Sequence, residues 1–282
     1  MRTLTTLLDG LRFGEGPRWH DGKLYFSDMH ADRVMTVDLE GRTSVVCEVP
    51  NNPSGLGWLP DGTMLVVSMT DRKVMRMERG GGALKVHANL SALAPYHCND
   101  MVVDSQGRAY VGNFGYDLHR GEKPRATVMI MVTPDGKARV VAGDLMFPNG
   151  TVITPDGKTL IVGESFGRRL TAFDIAADGS LANRRVWADL GKNVPDGIAL
   201  DAEGAIWVAT PTCSEVIRVR EGGALTERIP VATDAFACML GGADRKTLFV
   251  LTSASSDPAA CRAKATAKIE ITRVEVPGAG LP

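Results

Sequence analysis

The chain has 282 residues, of which 44% are hydrophobic and 23% charged, and its formal net charge is −1. This composition is typical of a globular protein, and a nearly neutral chain without a block of like charge argues against nucleic acid or an anionic membrane as its partner. Residues 1–12 lack the continuous apolar segment of a secretory signal, and no apolar run approaches the roughly 18 residues of a membrane helix. We therefore expect a cytoplasmic protein that acts on a small-molecule substrate.

A short strand-like segment, residues 4–8, is followed by turns of the Asp-Gly type that recur every 40 to 50 residues. Each turn precedes an apolar strand, for example residues 23–26 and 64–67, and further strands follow before the next turn. The turn positions are Gly22, Gly62, Gly107, Gly157 and Gly204, with a degenerate sixth copy at residues 243–245. Repeats of this length with four strands each are typical of β-propeller blades.

Six such repeats account for almost the whole chain and leave no room for a second domain. We therefore predict an all-β fold, a single six-bladed β-propeller of four-stranded antiparallel blades that spans residues 1–282. The N-terminal strand would complete the last blade and close the ring without a free edge. The alternative is a β-sandwich or two small barrels, which would show turn signals without the long period.

A polar residue stands seven or eight positions before the turn glycine in five repeats and should begin the innermost strand of each blade. These leading positions hold Glu15, Ser54, Asn99, Asn149 and Asp196, and the sixth repeat offers Ala237. Because innermost strands surround the central channel, we expect the leading side chains to meet at one mouth. The loops after the second strands should surround this mouth, and those at 113–125 and 253–267 are long enough to act as partial lids.

The leading residues suggest a metal site. Glu15 and Asp196 would repel each other at the channel mouth unless a cation lay between them, and Asn149 adds an amide oxygen. Oxygen ligands favour one divalent ion such as Ca²⁺, Mg²⁺ or Mn²⁺, with Zn²⁺ or Fe²⁺ as alternatives. Three protein ligands leave positions open for water and substrate, as in a catalytic site. The alternative is that these polar groups only line a water-filled channel.

Four short motifs follow one another along the chain: Gly-Glu-Gly-Pro at 14–17 with Trp19, Asn-Asp at 99–100, Pro-Asn-Gly at 148–150, and Pro-Asp-Gly-Ile-Ala-Leu-Asp at 195–201. In this order and spacing the chain resembles the gluconolactonase / regucalcin (senescence marker protein) / luciferin-regenerating-enzyme family. The resemblance implies a six-bladed propeller with one divalent metal ion in its channel and hydrolysis of a lactone or related ester. It also implies metal ligation by Glu15, Asn149 and Asp196 and substrate contact by Asn99.

One position departs from this family pattern. Gluconolactonase-like members carry an arginine two residues before the asparagine of the third blade, and this chain carries His97 there. Because alternate residues of a strand share a face, we expect His97 beside the substrate, with Phe13, Phe147 and Val194 in the equivalent places of other blades. Such a rim favours a substrate with fewer hydroxyl groups than gluconolactone.

The sequence and the resemblance together predict a metal-dependent lactonase or esterase. The ion would polarise the substrate carbonyl and activate water, and Asp196 is the candidate general base that accepts the proton of that water. Asn99 and His97 are candidates for substrate contact, and so are Tyr116 and Asp117 in the long loop of the third blade.

Other chemistries compete with this prediction. The string Gly-Glu-Ser-Phe-Gly at 163–167 matches a serine-hydrolase motif, but a strand rather than a helix is expected after it, which argues against a nucleophilic Ser165. The same metal site could hydrolyse a phosphotriester or hydrate a small carbonyl compound. An alternative of another class is a metal-stabilised propeller that binds a partner without catalysis.

Overall fold

Six antiparallel four-stranded sheets form a closed ring in the computed structural model, which describes residues 2–118 and 120–281. The predicted six-bladed β-propeller is confirmed. The first strand, β1 (Thr5–Leu11), is the outermost strand of the last blade, as predicted, so the two ends of the ring are joined within one sheet. This arrangement leaves no unpaired edge where the ring closes.

The first three blades each run outward from the channel in chain order. Blade 1 contains β2 (Gly14–His20), β3 (Lys23–Asp28), β4 (Arg33–Val37) and β5 (Thr43–Glu48). Blade 2 contains β6 (Pro53–Trp58), β7 (Met64–Ser68), β8 (Lys73–Met77) and β9 (Lys85–Asn89). Blade 3 contains β10 (Cys98–Val103), β11 (Ala109–Asn113), β12 (Thr127–Val132) and β13 (Ala138–Leu145).

The remaining blades repeat this order, with β1 added to the sixth. Blade 4 contains β14 (Pro148–Ile153), β15 (Thr159–Glu164), β16 (Arg169–Ile175) and β17 (Leu181–Asp189). Blade 5 contains β18 (Ile198–Leu200), β19 (Ile206–Thr210), β20 (Glu215–Val219) and β21 (Leu225–Pro230). Blade 6 contains β22 (Asp234–Gly241), β23 (Thr247–Ser253), β24 (Ala267–Arg273) and β1.

The loops at the channel mouth contain short helical segments. Two 3₁₀ turns, Met29–Ala31 and Pro211–Cys213, follow the second strands of blades 1 and 5. The long loop of blade 6, predicted as a partial lid, contains the helix α1 (Pro258–Ala263), which was not predicted. Asp257 caps this helix by accepting a hydrogen bond from Ala260 N at 2.8 Å, with proline in the favoured first position. Within the part of the chain that the structure describes, no helix is long and apolar enough to cross a membrane.

The far end of the channel is crossed by the C-terminal segment, residues 274–281. Leu281 pairs with Ile153 at the end of β14, and Gly278 pairs with Asp201 just beyond β18. Ala279 N also donates to Leu200 O at 2.9 Å. The segment therefore lies against the ends of the innermost strands of blades 4 and 5, opposite the leading residues.

Candidate active site

Irregular pairing directs the leading side chains into the channel. In five of the six blades the register between the innermost and second strands shifts next to the leading residue, as between Glu15 and Arg18 or between Pro148 and Thr151. Such a bulge bends the strand and turns a side chain away from the regular alternation. It accompanies the placement of Glu15, Asn99 and Asn149 on the wall of one cavity, and Asp196, which lies just before β18 in the blade without such a shift, lies on the same wall.

Glycine follows the leading residue in four blades because neighbouring innermost strands touch there through their backbones. A Cβ atom on Gly150 would lie 2.6 Å from the carbonyl oxygen of Asp196. Gly150 N instead donates to that oxygen at 3.2 Å, and Gly197 N donates to Phe236 O at 2.8 Å. These contacts fix the backbone of Asn149 relative to that of Asp196.

The same contacts correct the leading position of the sixth blade. Gly150 N donates to the carbonyl oxygen of Asp196, the leading residue of the next blade, and Gly197 N donates in the same way to the carbonyl oxygen of Phe236. The leading residue of the sixth blade is therefore Phe236 and not Ala237. Phe236 lines the cavity, whereas Ala237 packs with the buried core of the blade. The assignment failed because one additional residue separates the leading position from the second strand in this blade, and the degenerate turn gave no glycine for the alignment.

The carboxyl groups of Glu15 and Asp196 lie in surroundings that oppose their ionisation, although each residue is partly open to the cavity. Burial raises the pKa of Asp196 to about 8, and the negative charge of Asp100 adds to the effect, against a hydrogen bond from Asn149. Burial, together with the charges of Asp196 and Asp100, also raises the pKa of Glu15 well above its usual value. A cation between the carboxylates would relieve this repulsion.

The donor set fits a hard divalent ion. Asp196 Oδ1 is buried and has no hydrogen-bond partner within residues 2–118 and 120–281. Asn149 donates from Nδ2 to Ser165 Oγ at 3.2 Å, so its other amide atom, the oxygen, is available as a ligand. No group of three or more His, Cys, Asp or Glu side chains arranged to hold a metal occurs among the residues described, so the amide oxygen is needed to complete a set of three with Glu15 and Asp196.

Polar side chains next to these ligands have defined partners. Ser54 donates to Asn99 Oδ1 at 3.4 Å, which leaves the Asn99 amide nitrogen for a ligand in the cavity. Ser165 donates from Oγ to Pro195 O at 2.7 Å, and strand β16 follows it rather than a helix. The hydroxyl of Ser165 is thus engaged in holding Asn149 and lacks the setting of a nucleophile.

A buried ion pair adjoins the carboxylates and was missed at the level of sequence. Arg18 is 3% exposed and donates from Nη2 to Asp100 Oδ1 at 2.6 Å and from Nε to Leu56 O at 3.0 Å. Its charge lowers the pKa of Glu15, whereas that of Asp100 raises it. The sequence did carry a signal for it: an arginine lies inside the inner-strand motif Gly-Glu-Gly-Pro-Arg-Trp, where side chains are buried, and a buried arginine needs an anionic partner.

The cavity above the ligands has a volume of about 350 Å³, and its wall includes the rings of five phenylalanines. The rings of Phe13 and Phe236 are 4.8 Å apart, and those of Phe114 and Phe147 are 4.5 Å apart. Phe13, Phe147 and Val194, predicted as the apolar rim, all line it.

Three of the predicted substrate contacts lie outside this lining. The ring of His97 stacks on Tyr96 with centroids 4.0 Å apart, Tyr116 is 1% exposed behind Phe147, and Asp117 Oδ1 accepts a hydrogen bond from Arg120 N. Burial raises the pKa of Tyr116 to about 12. Their contacts with a substrate remain predictions, whereas Asn99 lies on the cavity wall.

Residues 13–254 match the family model described as the SMP-30/Gluconolactonase/LRE-like region. The chain is 24% identical to 6-deoxy-6-sulfogluconolactonase of Pseudomonas putida over 95% of this chain and 94% of that protein. It is 26% identical to pentonolactonase XacC of Haloferax volcanii, over 89% and 85% of the two chains. The crystal structure of a calcium-binding protein, regucalcin, from Agrobacterium tumefaciens superposes with a TM-score of 0.82 at 25% identity, covering 100% of this chain and 97% of that one. The chain therefore belongs to the SMP-30/gluconolactonase/LRE-like family, as its four sequence motifs predicted.

Proposed function

We propose that the protein is a divalent-metal-dependent hydrolase of a lactone or related cyclic ester. The observation that carries this proposal is the buried Asp196 Oδ1 without a partner, next to Glu15 and Asn149 at the base of an open cavity. The proposal is supported by relatives named as lactonases that match this chain over most of its length. Its partner would be a small molecule that enters the cavity.

Glu15, Asn149 and Asp196 would hold the ion, with Ca²⁺, Mg²⁺ or Mn²⁺ favoured by the oxygen ligands. When bound, such an ion supplies a Lewis acid for the carbonyl oxygen and lowers the pKa of water. Asp196 is the proposed general base that takes the proton of the attacking water, because its carboxylate faces the cavity. A neighbouring positive charge favours the ionised form of this carboxyl, so the base would be available near neutral pH.

Two features of the chain would position the substrate. Asn99 can donate from its amide nitrogen because Ser54 already satisfies its oxygen. The rings of Phe13, Phe114 and Phe147 would keep bulk water from the reacting carbonyl, since they are buried around the cavity. Because the cavity above the ligands is open to substrate, a catalytic role of the ion is favoured over a purely structural one.

Chelation tests the proposal directly. The protein is stripped of metal, its residual content is checked by elemental analysis, and hydrolysis of δ-valerolactone is followed by proton release. We expect at least about a 100-fold loss of rate, restored by one of Ca²⁺, Mg²⁺, Mn²⁺, Zn²⁺ or Fe²⁺ added singly. Full activity in the metal-free protein would refute the metal-dependent mechanism. Parallel assays with a phosphotriester and with hydration of a carbonyl compound separate lactone hydrolysis from the other reactions of such a site.

A further inference from the structure

Five of the eight phenylalanines of the chain line the cavity above the candidate ligands. They are Phe13, Phe114, Phe147, Phe166 and Phe236. Met29, Met69, Leu118, Val194 and Pro211 add to the same wall. More than half of the described lining residues are therefore apolar, in a protein whose aromatic content is 6%.

The rings form continuous surfaces. Phe147 lies 4.5 Å from Phe114 and 5.2 Å from Phe166, measured between ring centroids, so three aromatic side chains adjoin one another from the depth of the cavity to its rim. Phe13 and Phe236 form a second pair, and each is at most 7% exposed. Phe166, by contrast, is 41% exposed and marks the rim.

Several polar groups of this wall already have partners within the protein. Ser165 donates to Pro195 O, and Asp234 Oδ1 accepts a hydrogen bond from Ser214. Among the lining residues that the structure describes there is no lysine or arginine, so apart from the proposed ion and His30 a carboxylate, sulfonate or phosphate on the substrate would find no cationic partner on this wall.

These features have opposite effects on two kinds of lactone. A hydroxyl moved from water to an aromatic wall without a partner weakens binding by about tenfold or more. A methylene group moved to the same wall strengthens binding by about fourfold. The volume of about 350 Å³ is within the range of sites that enclose a small organic ligand.

We propose that the substrate is an uncharged lactone that carries an alkyl or aryl substituent, held against the phenylalanine wall, and not a polyhydroxylated or anionic sugar lactone. The substrate class rests on the proposed hydrolase function. It distinguishes this chain from the relatives whose names specify sugar-derived or sulfonated lactones.

The first test compares three lactones that share the reacting six-membered ring: δ-valerolactone, δ-decalactone and glucono-δ-lactone. With the metal-supplemented protein we expect kcat/KM for δ-decalactone to exceed that for δ-valerolactone by at least about 10-fold and that for glucono-δ-lactone by at least about 100-fold. If glucono-δ-lactone is the best of the three, the proposed substrate class is wrong while the hydrolase function stands.

The second test measures binding without turnover. The corresponding lactams, which resist hydrolysis, are titrated into the protein by calorimetry with and without the restoring metal. We expect the pentyl lactam to bind at least about 10-fold more tightly than gluconolactam, with a negative heat-capacity change. If the protein prefers the pentyl lactam but hydrolyses no lactone, the proposed function is refuted and the apolar ligand class is kept. Equal affinities for the two lactams would overturn the ligand class itself.

A pair of matched variants locates the substituent. Phe166→Ser removes a ring from the rim, and Leu225→Ser removes a side chain of nearly the same exposure, 42% against 41%, from the outer strand β21. We expect Phe166→Ser to reduce the preference for the pentyl lactam over the unsubstituted lactam by about threefold or more, and Leu225→Ser to leave it unchanged. An unchanged preference in Phe166→Ser would overturn the placement of the substituent on this wall.

Discussion

Arg18 Nη2 and Asp100 Oδ1 lie 2.6 Å apart in a buried ion pair that adjoins both candidate metal-binding carboxylates. The charge of Asp100 raises the pKa of Glu15 and of Asp196, and that of Arg18 opposes it at Glu15. Arg18 thus offsets part of the negative charge of two neighbouring carboxyl groups, those of Glu15 and Asp100. It also bonds to backbone oxygens of Leu56 and Met101, which joins the innermost strands of three blades.

Replacing this arginine tests its structural role. Arg18→Met should lower the free energy of unfolding by about 3 kcal/mol, because it leaves Asp100 buried without its cation. Urea denaturation of the metal-free protein measures the effect. The double variant Arg18→Met, Asp100→Asn should recover part of the loss, and a loss below about 1 kcal/mol in the single variant would contradict a stabilising pair.

Asp196 is expected to be essential for turnover. Asp196→Asn keeps the size of the side chain but removes both the base and one anionic ligand, so kcat should fall by at least about 100-fold. The exposed Asp9→Asn on β1 is a matched control for the loss of one carboxylate and should retain normal rates. Circular dichroism checks that both variants are folded, and near-normal turnover in Asp196→Asn would exclude it as the base.

The raised pKa values of Glu15 and Asp196 predict that the metal-free protein becomes less stable as pH rises. The folded state binds more protons at these groups than the unfolded state does. Their favourable contribution is complete below the unfolded pKa of about 4 and is lost as pH rises toward about 8, the pKa of folded Asp196.

The free energy of unfolding, measured at intervals from pH 5 to 8, tests this prediction. His20 and His87 have lowered pKa values, caused first by burial, and act in the opposite direction over part of this range. The relevant quantity is therefore the difference between wild type and Asp196→Asn, which keeps both histidines. We expect the wild type to lose stability relative to Asp196→Asn as pH rises. A difference in unfolding free energy that stays constant would show that Asp196 titrates normally.

Cation binding should release protons for the same reason. A divalent ion binds the ionised carboxylates, so its affinity should increase from pH 6 to 8. Calorimetric titrations in two buffers of different ionisation enthalpy give the number of protons released. A value near zero at pH 7 would mean that both carboxyl groups are already ionised in the metal-free protein.

Ser165 should affect ion binding more than chemistry. Its hydroxyl accepts from Asn149 Nδ2 and donates to Pro195 O, so Ser165→Ala should weaken cation affinity a few-fold while hydrolysis at saturating cation falls by less than about 30-fold. Rates measured across a cation titration separate the two effects. Abolished turnover with unchanged cation affinity would instead support a serine nucleophile.

The repeat period and the leading residues predicted both the number of blades and the side chains that meet at the mouth. The six-residue helix α1 was not predicted, because fewer than two turns carry no periodic pattern, although Asp257-Pro258 is a recognisable start signal. Phe236 was missed because an extra residue in blade 6 shifts the alignment by one. Arg18 was missed because the partners that bury it, Leu56, Asp100 and Met101, are distant in sequence and come together only when the ring closes.

The C-terminal segment that crosses the far end of the ring limits how molecules reach the carboxylates. Leu281 and Gly278 pair with the ends of innermost strands, and Arg18 joins three such strands between that end and the cavity. We therefore expect substrate to enter, and product to leave, through the open mouth of the cavity. A hydrolysed product must leave by the way the next substrate arrives, so accumulated product is expected to compete with substrate for the same space.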